Sequence, residues 1–69
     1  MTSTYVVNVT RRIVRMFERY SENIDPSDEK FLAFVSNFLA ENGVKNAEDI
    51  PYAQLYILIQ KAIRKFLAK

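Results

Sequence analysis

Arginines at positions 11, 12, 15 and 19 form the most chemically suggestive pattern in this chain. At helical spacing Arg11, Arg12, Arg15 and Arg19 fall along one side over about two turns. A guanidinium is planar, permanently charged and able to grip phosphate oxygens in pairs. The row is therefore a candidate nucleic-acid contact. A second basic group closes the chain, with Lys61, Arg64, Lys65 and Lys69 uninterrupted by any acid. Such residues also complement the negative end of a helix. Glu18 and Glu22 share the sector of the first row, at spacings suited to ion pairs with Arg15 or Arg19. A solvated face laced with such pairs is the plain alternative to a binding surface.

Catalysis finds few of its usual groups here. The chain has no Cys and no His, so the common nucleophile–base pairs and the common zinc sites are missing. Asp25, Asp28, Glu29, Glu48 and Asp49 sit where helix caps and first turns favour acids. Their spacing lacks the alternating ligands and central glycine of a calcium loop. A single Gly cannot build a phosphate cradle. The expectation is a non-enzyme with no catalytic residue, no metal and no cofactor.

The elements that must position the arginines follow from the apolar periodicity. Val6, Val9, Thr10, Ile13, Phe17 and Tyr20 recur at three- and four-residue steps, which predicts a first helix over about 4–22 capped by Ser3 or Thr4. The β-branched run Thr4–Thr10 also suits a strand, but no second strand exists for it to pair with. Asp25 before Pro26 predicts a second helix over 26–42, with Phe31, Phe34, Val35, Phe38 and Leu39 buried and Gly43 closing it in the left-handed conformation. Asn46 to Asp49 reads as a short capped turn. Pro51 then opens a third helix over 51–68, with Leu55, Ile59, Ala62 and Phe66 on its inner line. The expected fold is all-α: one domain over 1–69, a small antiparallel three-helix bundle with a fourth short helical turn at 46–50.

Length and composition agree. A 69-residue chain builds one core, and 49% hydrophobic residues supply it. Opening on Met1, it reads as a complete small module. The longest apolar runs are five residues, Phe31–Val35 and Leu55–Ile59, against about 20 for a membrane span. With no basic, apolar leader at the start, a cytoplasmic protein is the default. The net charge of +2 is unevenly spread, with basic ends around an acidic middle.

Apolar residues in excess of one stripe point to a different role. Val7 and Val14 widen the first helix's arc to about 200°, and Ile57 and Leu58 fall off the main stripe of the third. Clustered at the surface, Val7, Val14, Ile57 and Leu58 would form a partner interface, and a small core favours recruiting a second chain. Tyr20, Tyr52 and Tyr56 are expected in or beside the core and Tyr5 outside it. The leading expectation is thus a small helical interaction module of a regulatory kind, binding a protein partner or itself as a homodimer. The alternative is a nucleic-acid-binding accessory protein using the two basic faces. A sequence-reading helix-turn-helix fits poorly, because the connection from Gly43 to Pro51 exceeds that motif's short turn.

Overall fold

The computed structural model describes residues 3–68. It contains α1 (Thr4–Met16), α2 (Glu18–Ser21), α3 (Glu29–Glu41), a 3₁₀ turn (Ala47–Asp49) and α4 (Tyr52–Leu67). The described residues contain no strand, and the β-branched run Thr4–Thr10 is helical. The fold is an all-α bundle in which α3 packs on α4, and α1 packs on α4 and the 3₁₀ turn.

Local chemistry explains most of the helix ends. The Ser3 Oγ accepts the Val6 N–H at 3.1 Å and starts α1. At the end of α3, the Val44 N–H reaches the Leu39 carbonyl and the Gly43 N–H reaches that of Ala40, both within 3.1 Å. Gly43 has φ 82°, so this is a complete Schellman closure. Val44 then folds back onto the core. Asn46 Oδ1 accepts the Glu48 N–H at 3.2 Å and shapes the 3₁₀ turn, where Ala47 is buried.

Two boundaries differ from expectation. The first helix does not run to Glu22. It stops at Phe17, whose φ −122° and ψ 119° are extended, and α2 follows as a single turn. The break serves burial. Tyr20 and Ile24 are both sealed in the core, whereas Phe17 is turned outward and 36% exposed. A continuous helix would have placed Phe17 on Ile13's inward line and carried Tyr20 and Ile24 past the bundle's end. At the end of α2 side chains cap its carbonyls: Asn23 Nδ2 donates to Arg19 O at 2.7 Å, and Ser21 Oγ to Glu18 O at 3.2 Å, which also accepts the Glu22 N–H.

The second difference is at α3, which begins at Glu29 rather than at Pro26. Asp25 is not its cap. Asp25 Oδ1 accepts the Ser27 N–H at 2.9 Å and closes a turn, while Asp28 Oδ1 accepts the Lys30 N–H at 3.0 Å and caps the helix. Pro51 likewise stands just outside α4, as the residue preceding its first turn.

The core runs from Val6, Val9, Ile13 and Val14 through Phe31, Val35 and Leu39 to Leu55, Ile59, Ala62 and Ile63. Phe66 packs edge-on against Phe31 at 5.1 Å and Phe34 at 5.4 Å, which ties α3 to α4. Thr10 is fully buried within this apolar mass, and its Oγ1 has no hydrogen-bond partner. A hydroxyl buried in that way costs about 1–3 kcal/mol. Thr10→Val keeps the shape and removes the orphan group, so it should stabilise by about 1 kcal/mol or more. Thermal denaturation should show Tm rising by roughly 4–8 °C per kcal/mol. A lower Tm would show that the hydroxyl is satisfied in solution.

Candidate functional site

The outer side of α1 and α2 carries the arginine row. Arg12, Arg15 and Arg19 are exposed and Arg11 is half-buried. Asn8, Arg11, Arg12, Arg15 and Met16 line one shallow hollow of about 470 Å³. Among the described residues none of these four arginines makes an ion pair within 4 Å. The expected pairing with Glu18 and Glu22 is therefore not formed. The break at Phe17 accounts for part of this, because Arg15 and Glu18 no longer share one continuous helix and its spacing.

The basic residues of α4 divide. The Arg64 Nε donates to the Tyr20 hydroxyl at 3.4 Å, across 44 positions of sequence. Phe17, Arg19, Tyr20, Gln60 and Arg64 line a second open hollow of about 330 Å³. In it the Phe17 and Tyr20 rings lie 5.2 Å apart, tilted at 59°. Arginines from the two ends of the chain thus meet across the α2–α4 junction. Lys65 belongs elsewhere: its Nζ stands 5.8 Å from the centre of the Phe38 ring, in a hollow shared with Phe34, Asn37 and Glu41 of α3. Lys61 is exposed on α4, at helical spacing between Ile57 and Arg64. Lys69 lies outside the described residues. Among the described residues of the expected Lys61–Lys69 block, Arg64 and Lys65 therefore line different hollows. Arg64 joins the arginine side and Lys65 joins α3.

The apolar candidates also separate. Val14 is 1% exposed and belongs to the core, which removes it from any surface. The wide arc of α1 is used inside the bundle, where Val14 and Thr10, one turn apart, are both sealed. Val7 and Leu58 are half-buried, and Ile57 is exposed. Met16 and Phe17 are exposed apolar residues that periodicity places on or beside a helical stripe. No Gly or Pro near position 17 signals the break that turns Phe17 out. Tyr52 is exposed and Tyr5 half-buried, the reverse of expectation, whereas Tyr20 is buried and Tyr56 half-buried.

Among the described residues no three acidic side chains gather as metal ligands, and no helix is long and apolar enough to cross a membrane. The arginine side offers exposed guanidiniums beside exposed apolar side chains: charge-assisted hydrogen bonds to an anion, with adjacent surface for stacking or burial. In comparisons with protein-family models, curated proteins and solved structures nothing matches this chain.

Proposed function

We propose that this domain is a non-catalytic binding module that docks nucleic acid by its phosphates, using Arg11, Arg12, Arg15 and Arg19 with Arg64. The observation that supports this reading best is that, among the described residues, no carboxylate pairs with the arginine row. Guanidiniums already engaged by carboxylates would have to give up those partners before meeting phosphate. Here they meet it directly. The convergence of Arg19 and Arg64 on one hollow extends the positive surface from α1 around to α4.

Replacing Arg12 and Arg15 together by Ala tests the reading. Both are exposed, so the circular dichroism spectrum and Tm should be unchanged. Fluorescence anisotropy with a labelled oligonucleotide should show weaker binding. The slope of log affinity against log salt should become shallower by about 1.4 on a single strand and about 1.8 on a duplex, because two phosphates are no longer neutralised. An unchanged slope would remove these residues from the interface.

Met16, 57% exposed, and Ile57, 53% exposed, favour a second reading in which the domain binds a protein partner or its own copy. Salt separates the two. Phosphate contacts weaken as salt rises, whereas burial of apolar surface does not.

A further inference from the structure

We propose that the hollow at the α2–α4 junction seats an unpaired nucleotide, so that the module prefers single-stranded to duplex nucleic acid. A base would stack on Phe17 while Arg19 and Arg64 hold the adjoining phosphate. This rests on the nucleic-acid reading above and narrows its ligand class.

Three features of the hollow support the assignment. The first is its aromatic surface. Phe17 is 36% exposed and its ring rests 5.2 Å from that of Tyr20, which is buried. A ring backed in this way is already positioned, and stacking a base on it orders little further. The second is the charge. Arg64 is tethered through Nε to the Tyr20 hydroxyl, and its other N–H groups have no partner among the described residues. Arg19 lines the same hollow, and among the described residues no carboxylate does. The third is Gln60, whose amide both donates and accepts and so can meet a base edge.

Two other hollows among the described residues lack this combination. The one on α1 has arginines but no aromatic ring. The one between α3 and α4 has Phe38 and Lys65, but Glu41 lines it too and would repel phosphate. Duplex bases are stacked on one another and present only edges and backbone, so a duplex would engage the arginines and leave Phe17 unused.

The test compares labelled single-stranded oligothymidylate with a duplex of equal length, in anisotropy titrations of the full chain. Phe17→Ala should weaken single-strand binding by about 5- to 150-fold, the range that one stacked base supports. It should leave duplex binding unchanged, with Tm recorded for each variant. Phe17→Trp introduces the chain's sole indole. Its emission should be quenched by oligothymidylate and not by duplex, which keeps the proposal testable should the alanine variant fail to fold. Equal losses on both ligands, or an indole blind to the single strand, would overturn the proposal. Binding that depends on Arg12 and Arg15 but not on Phe17 would overturn it and leave the wider nucleic-acid reading standing. If neither ligand binds at low salt, both fall.

Discussion

Phe31→Ala should leave the domain largely unfolded at physiological temperature. Phe31 has no exposed surface and meets Phe66 edge-on at 5.1 Å, so its removal empties the space between α3 and α4. Truncating a buried Phe costs about 3–5 kcal/mol. A chain of 69 residues has a total stability of roughly 3–10 kcal/mol at the usual figure per residue. The loss is thus a large fraction of the whole, and there is no disulfide to hold the remainder together. Circular dichroism during heating should show Tm falling by at least about 12 °C, or no cooperative transition at all. Phe34 is half-buried and also touches Phe66, and its truncation should cost less. A cooperative transition within a few degrees of the parent would show that Phe31 does not hold α3 against α4.

What the residues reveal before folding is mostly local. Ser3, Gly43 and Asn46 each act on backbone groups within five residues, so the caps they make can be read from their types and neighbours. Asp25 and Asp28 show the limit of such reading. Both are acids before a helical run, and local rules cannot choose between them. The break at Phe17 lies beyond local reading altogether. It follows from the need to bury Tyr20 and Ile24 at the end of the bundle, a tertiary demand without punctuation in the sequence.

The candidate site divides along the same line. The arginines of α1 are legible as an outward row because the opposite arc is so plainly apolar. The surplus at Val14 misleads, since an arc wider than one stripe can be used inside a small bundle as well as outside it. Arg64 and Lys65 are neighbours in sequence yet serve different faces. Their placement depends on where α2 and α3 sit around α4, which one-helix periodicity does not contain. The α2–α4 hollow follows from the same arrangement, because Phe17 enters it only through the helix break.

Steep salt dependence is the largest effect expected of the binding surface. Each phosphate neutralised on a single strand releases counterions worth about −0.7 in the slope of log affinity against log salt. Five arginines, Arg11, Arg12, Arg15, Arg19 and Arg64, would give a slope near −3.5, and so about a 100-fold loss between 50 and 200 mM salt. Among the described residues no carboxylate is paired with the arginine row to blunt the effect. Titrating the unaltered chain with a labelled single strand at those two salt concentrations tests the arginine face most directly. Tight binding at low salt that collapses by about two orders of magnitude is the predicted outcome. Absence of binding at the lower salt, or binding indifferent to salt, would contradict the account.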